Sequence, residues 1–233
     1  MIRTGLIVSS AVITAMIAIT LWTAGQLPAE SIPVHWGLDG QPDRWADKGE
    51  AQIIMWILPG VAAFTTLVLA LAPSLEPMQQ NLHKSRKAYV TVWLAVMLLL
   101  LAISAGVSML MLRSIQGETS SNEFVRFIIA ATGILFIVQG NFLPKTRQNF
   151  FLGIRTPWTL SSAYVWERTH RFAGRAFILA GFVCLIGAFT LSGPQLLIML
   201  LVTLGGTFLA SITYSYLAWR RADDKNTGHD LLV

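Results

Sequence analysis

The residues with most chemical potential lie in one stretch, 149–171, which reads NFFLGIRTPWTLSSAYVWERTHR. Within it, Arg155-Thr156-Pro157-Trp158-Thr159 sets a cation, two hydroxyls and an indole on a backbone stiffened by proline. That combination suits a phosphate group or a protein partner, while the same residue types also suit plain anchoring among lipid headgroups. His170 is a hydrogen-bonding residue, a ligand or a base. No carboxylate–histidine–nucleophile order surrounds it, so the expectation is a non-enzymatic protein with no catalytic residues. A second candidate cluster, His35, Asp39 and Asp43, recurs every four residues, and Asp47 continues it. On a helix these would share one face. Pro28, Pro33 and Pro42 with Gly37, Gly40 and Gly49 break any such helix, so the reading is a solvated acidic loop, with no metal and no cofactor expected.

The elements that hold these stretches are apolar. Of 233 residues, 54% are hydrophobic and 12% charged, with a mean hydropathy of +0.60. Soluble domains carry about 25% charged residues, so the chain reads as an integral membrane protein. The basic pI near 9.7 does not point to direct nucleic-acid binding, because the cations flank apolar runs. Cys184, the one cysteine, reads as a small packing residue.

Six runs are long enough to cross a bilayer: 5–25, 53–72, 88–112, 127–143, 176–193 and 196–219. Gly193-Pro194 makes the last two an antiparallel pair. Arg126 and Arg175 sit at the ends of the two shortest runs, positioned to snorkel. The first run is long for a cleaved signal peptide, so retention is expected. The 1–75 region reads as a hairpin with a cap loop at 26–52. The 80–220 region reads as a four-helix core with a loop at 144–175, and 221–233 as a tail. Thirteen Lys and Arg fall on the side of the termini and the 144–175 loop, against four on the other. The positive-inside rule places both termini and that loop in the cytoplasm and the 26–52 cap outside.

The spans carry no central ionisable residue, which counts against a proton-driven transporter or ion pump. Gln139 and Asn141 read as interhelical glue. Ala102 with Gly106, Ser104 with Ser108, and Gly206 with Ala210 are small-residue pairs suited to helix contact. In the cap, IPVHW alternates like a short strand, GLDGQPD reads as tight turns, and Trp36 and Trp45 suit the membrane interface. In the 144–175 loop, Gly153 permits a turn, Pro157 forces Thr156 to be extended, and Ser161 or Ser162 caps a helix. That helix is read as amphipathic, lying at the inner surface before the fifth span and running on into it. Val165, Thr169 and Phe172 share one face and Tyr164, Arg168 and Arg171 the other. Glu167 and Arg171 are spaced for an ion pair, and Trp158 and Trp166 as interface anchors.

The stretch 149–174 closely resembles the signature of the SdpI-like family of bacterial membrane proteins. The matching residues are Asn149, Phe151, Gly153, Ile154, Arg155, Thr156, Trp158, Thr159, Val165, Trp166, Thr169, His170, Arg171 and Gly174. The upstream IPVHWGLDGQPDRW resembles an external module of unknown function that often precedes this core. The resemblance implies an all-α protein of six membrane helices serving in toxin immunity or signalling. Such a protein would meet a secreted antimicrobial peptide outside, through a cap bearing His35, Trp36, Asp39, Asp43, Arg44 and Trp45. Inside, it would hold a winged-helix repressor at the motif loop, alongside contacts with membrane lipids. The alternative is a transporter of small solutes or lipids, or an integral-membrane enzyme, with a cavity lined by Asn141, Arg155 and His170.

Overall fold

The computed structural model describes residues 1–29, 31–37, 41–117 and 121–224. In chain order the elements are α1 (Ile2–Gln26), β1 (Ile32–Trp36), β2 (Pro42–Ala46), α2 (Lys48–Leu75) and α3 (Gln79–Lys84). Then come α4 (Arg86–Ile115), α5 (Asn122–Phe142), a 3-10 turn (Leu143–Lys145), α6 (Pro157–Leu160), α7 (Ala163–Thr190) and α8 (Pro194–Arg220). Six of the helices, α1, α2, α4, α5, α7 and α8, are long and apolar enough to cross a membrane, as the hydropathy runs predict. Their outward faces carry large apolar side chains such as Ile53, Phe189 and Leu209, each more than two-thirds exposed, where lipid takes the place of protein neighbours.

Two packed clusters make up the bundle. One joins α1, α2 and α4 through Val12, Met16, Ala62, Tyr89, Trp93 and Met97. Gly5 leaves room for Trp93, since an added Cβ would lie 2.6 Å from the indole, whose Nε1 donates to Ser9 at 2.9 Å. Pro73 inside α2 has no N–H to give the carbonyl of Leu69, and the Tyr89 hydroxyl donates to that carbonyl instead, at 2.5 Å.

The other cluster joins α5, α7 and α8 through Ile129, Phe136, Phe177, Ala180, Cys184 and Leu196, so Cys184 is indeed buried packing. Here α5 and α7 approach to backbone contact at two levels, Gly133 against Gly181 and Gly140 against Gly174. A Cβ on any of the four would lie 2.5 to 2.7 Å from the facing glycine's carbonyl oxygen. Of the small-residue pairs expected from sequence, Ser104 and Ser108 are buried. Gly106 admits the Phe124 ring, and Gly206 has open space around it. Nor is Asn141 interhelical glue: it is exposed and accepts from Lys145, one turn along its own chain, at 3.2 Å. Gly193 and Pro194 turn α7 into α8 as expected, with Gly193 at φ 54° and Pro194 at the first helical position. Arg126 binds back onto this turn, donating to the Leu191 carbonyl at 3.2 Å rather than only reaching for headgroups.

The cap between α1 and α2 is an antiparallel hairpin. β1 is the expected strand, and it pairs with a second strand that the sequence reading missed, with Ile32 opposite Ala46 and His35 opposite Arg44. Lys48 closes the end of α1 by donating to the Leu27 carbonyl at 3.0 Å, and Asp47 caps α2 by accepting from Glu50 N at 2.9 Å. Strand geometry replaces the four-residue periodicity. His35 Nδ1 meets Asp43 at 2.6 Å, while Asp39 lies outside the described residues. Arg44 pairs with Glu50. Trp36 is half-buried against the cap's small core, its indole N–H without a partner among the described residues, whereas Trp45 is 51% exposed.

Candidate functional site

The motif stretch is a strap laid across the end of the bundle opposite the cap. It leaves the 3-10 turn at Lys145 and enters α7 at Ala163, and its apolar residues plug both clusters. Phe151 and Leu152 pack on the α1–α2–α4 core, while Ile154 is buried in the α5–α7–α8 core. Polar residues then fix the strap at every turn.

Asn149, fully buried, is the first fastener. Its Oδ1 accepts from Phe151 N at 2.9 Å and Leu152 N at 2.6 Å, and its Nδ2 donates to the Arg147 carbonyl at 2.6 Å and the Leu152 carbonyl at 3.1 Å. A buried amide with all its valences used in this way shapes a loop and has nothing left for a ligand. Gly153 follows at φ 117°, a backbone setting for glycine. A Cβ there would also lie 2.3 Å from His170 Nε2.

That close approach explains His170. It is 1% exposed and stacked on Trp166 at 4.0 Å between ring centroids. Its Nδ1 lies 2.8 Å from the Trp166 carbonyl, which can only accept, and its Nε2 lies 3.0 Å from Ile154 N–H, which can only donate. The ring is therefore a neutral imidazole with its proton on Nδ1, pinning Ile154 to α7. It is neither a free base nor an open ligand. Trp166, expected as an interface anchor, is 3% exposed and donates from its indole to the Thr146 carbonyl at 3.1 Å. The residue sits on the inward face of α7 with Val165, Thr169 and Ala173, and a tryptophan there is packing, not an anchor. Thr169 Oγ1 is buried with no partner among the described residues.

Thr156 and Thr159 form a reciprocal cap on α6. Thr156 N donates to Thr159 Oγ1 at 2.9 Å and Thr159 N to Thr156 Oγ1 at 3.2 Å. Thr156, extended before Pro157 as predicted, also meets Ser215 of α8 at 3.1 Å. Ser162 proves to be the α7 cap, accepting from Val165 N at 3.1 Å. It in turn donates to Asp224 at 2.5 Å, and Asp224 accepts from Tyr164 N at 3.1 Å. These bonds hold the Asp224 carboxyl below the usual range. The helix expected before the fifth span runs on into it without a break, as read from sequence, and is not a separate surface element. Its residues are the first turns of one continuous α7, whose 28 residues span about 42 Å against an apolar core of about 30 Å, so roughly two turns stand clear of lipid.

Two anchors come from outside the motif, and sequence reasoning missed both. Glu76, 2% exposed at the end of α2, accepts from Met78 N at 3.0 Å and from Phe150 N at 2.9 Å. Ser85, before α4, accepts from Arg147 N at 2.8 Å. A single carboxylate 74 residues upstream gives no local signal.

What the motif leaves outside is a different set. Arg155 is exposed and donates to the Phe150 carbonyl at 2.5 Å. Trp158 is half-buried against Tyr216 at 5.1 Å. Arg171 is exposed and pairs with Glu167 as the spacing predicts. An open groove of about 570 Å³ runs beside Arg171, lined also by Lys145, Arg147, Gln148, Tyr164 and Glu167. The cavity expected from Asn141, Arg155 and His170 does not form, because His170 is closed off while the other two face outward.

The profile of the SdpI/YfhL protein family matches residues 145–215, which include the strap with α6, α7 and most of α8. A domain of unknown function (DUF1648) matches residues 11–63, which hold the cap hairpin. Immunity protein SdpI of Bacillus subtilis (strain 168) is 33% identical over 85 residues, covering 36% of this chain and 41% of that protein. The match thus spans about two fifths of the relative's length. No solved structure matches the chain significantly. The chain thus has six helices long and apolar enough to cross a membrane, and the segment similar to the SdpI/YfhL protein family holds the strap that ties the two halves of the bundle together.

Proposed function

We propose that the chain is a membrane immunity protein of the SdpI kind that meets a secreted antimicrobial peptide through its cap and relays that event to the strap. The observation that carries this reading is the 33% identity to an immunity protein. The thirteen-to-four sorting of basic residues supports a cytoplasmic strap and termini with the cap outside, in a bacterial cytoplasmic membrane.

The mechanism is a population shift. A peptide that favours one arrangement of the α1–α2–α4 cluster over another moves Glu76 and Ser85, and with them Phe150 and Arg147. The outward residue Arg155, and Glu167 and Arg171 with the groove they line, then meet a cytoplasmic partner, a winged-helix repressor by family resemblance. No catalysis is invoked, because Asn149, Thr156, Thr159 and His170 spend their polar groups on the strap itself.

The test is complementation. A Bacillus subtilis strain lacking Immunity protein SdpI, expressing this chain, is grown with its unmodified parent. Survival above the vector control is expected, and none despite confirmed membrane insertion refutes immunity. Topology is read separately by labelling Arg155→Cys in intact cells. Reaction with an impermeant maleimide before lysis would place the strap outside and remove the relay.

A further inference from the structure

At the same end of the bundle, away from the signature, the α3–α4 junction and the end of α5 enclose a basin of about 630 Å³. Lys84, Arg86, Lys87 and Lys145 line it, with Phe142 as an apolar wall and Ser85 at the buried floor. All four cations are exposed. Among the described residues, none is in an ion pair; Lys145 has only the neutral Asn141 amide and the Phe142 ring, at 4.9 Å. Among the described residues, three carboxylates of this end are engaged elsewhere. Glu76 is turned to backbone amides, Glu167 to Arg171 and Asp224 to Ser162. Four like charges around one concavity repel one another, and an anion relieves that repulsion. The basin does not end at the surface. A second groove of about 430 Å³ shares Arg86, Lys87 and Phe142 and continues along α4 past Val90 and Thr91, into the part of the helix that meets lipid.

We propose that this basin binds the phosphate headgroup of an anionic phospholipid, with an acyl chain lying in the groove past Val90, Thr91 and Phe142. Positive-inside sorting alone explains cations near the membrane but not an unneutralised concavity that opens onto an apolar channel. The apolar continuation favours a lipid over a free phosphate.

The full chain, purified in detergent, is titrated with phosphatidylglycerol, phosphatidylcholine or inorganic phosphate, and retained adducts are counted by native mass spectrometry. Phosphatidylglycerol is expected to stay bound, with phosphatidylcholine and inorganic phosphate lost. Lys87→Gln and Lys145→Gln each weaken retention roughly fivefold, the effect of one basic residue at an anionic surface. Thr91→Trp fills the channel, keeps every charge and weakens lipid retention as well. Thermal unfolding of all three variants should match the parent, since each changed side chain is exposed or half-exposed. Equal retention of phosphatidylcholine, or insensitivity to both lysine changes in folded protein, overturns the proposal. Inorganic phosphate holding as well as lipid, unaffected by Thr91→Trp, overturns the lipid assignment.

Discussion

Replacing Gly153 with alanine tests how the strap is held. Two costs act together. The backbone at φ 117° suits glycine, and a side chain forced there costs about 1–3 kcal/mol. The new methyl would also stand 2.3 Å from His170 Nε2, so the ring must withdraw. Its withdrawal leaves the buried Ile154 N–H without an acceptor, a penalty of about 1–3 kcal/mol. The sum, about 2–6 kcal/mol, is large enough to free the strap locally while the membrane helices stay folded. The assay is limited trypsinolysis at Arg155, exposed but braced in the native chain, with hydrogen exchange at the Ile154 amide. Gly153→Ala should cleave faster and exchange faster, by at least tenfold. A second background separates the two costs. In His170→Ala the methyl has room, so adding Gly153→Ala should cost only the backbone portion, about 1–3 kcal/mol. Protection at Ile154 unchanged by Gly153→Ala would refute the reasoning, as would equal costs in both backgrounds.

Three further outcomes follow from the same contacts. Glu76→Gln keeps the side chain's shape but gives one backbone N–H an amide NH₂ to face in place of an oxygen. Exchange at Phe150 or Met78 should rise, with a loss of about 1–3 kcal/mol in thermal denaturation. Gly174→Val pushes α5 and α7 apart, since its Cβ starts 2.7 Å from the Gly140 carbonyl, and should lower stability by at least 1–3 kcal/mol in detergent melts. Asp224 has a carboxyl pKa lowered by Ser162, so its contribution is present above the unfolded pKa and is lost as pH falls through the lower, folded one. Exchange at Tyr164 N should therefore rise only on strong acidification, with a modest amplitude for so exposed a group, and Asp224→Asn should remove that step.

The membrane spans were readable because hydrophobicity along the chain reports them directly. Ser162 as a cap, Thr156 as an extended residue and IPVHW as a strand were equally local signals. What escaped was set by distance or by ambiguity of residue type. β2 reads PDRWA, where a proline and two charges hide a strand that exists because β1 lies beside it. Four glycines in α5 and α7 make the closest contact in the bundle, yet glycine is common in membrane helices and its pairing register is invisible in one dimension. Trp166 and Trp158 look alike in composition, but helix phase buries the first and leaves the second half out. His170 read as an open option because its partners, the Ile154 amide and the bare Cα of Gly153, declare themselves only after folding.

The inward orientation of the signature has a practical corollary for protein engineering. Asn149, Thr159, Trp166 and His170 are fastened from within, so randomising them would yield chains that no longer assemble rather than chains with new preferences. A library meant to vary the surface this end of the protein presents belongs instead on the outward neighbours, Phe150, Arg155, Tyr164 and Arg168, whose side chains make no internal ties beyond the Arg155 brace and the Arg168–Tyr164 ring contact.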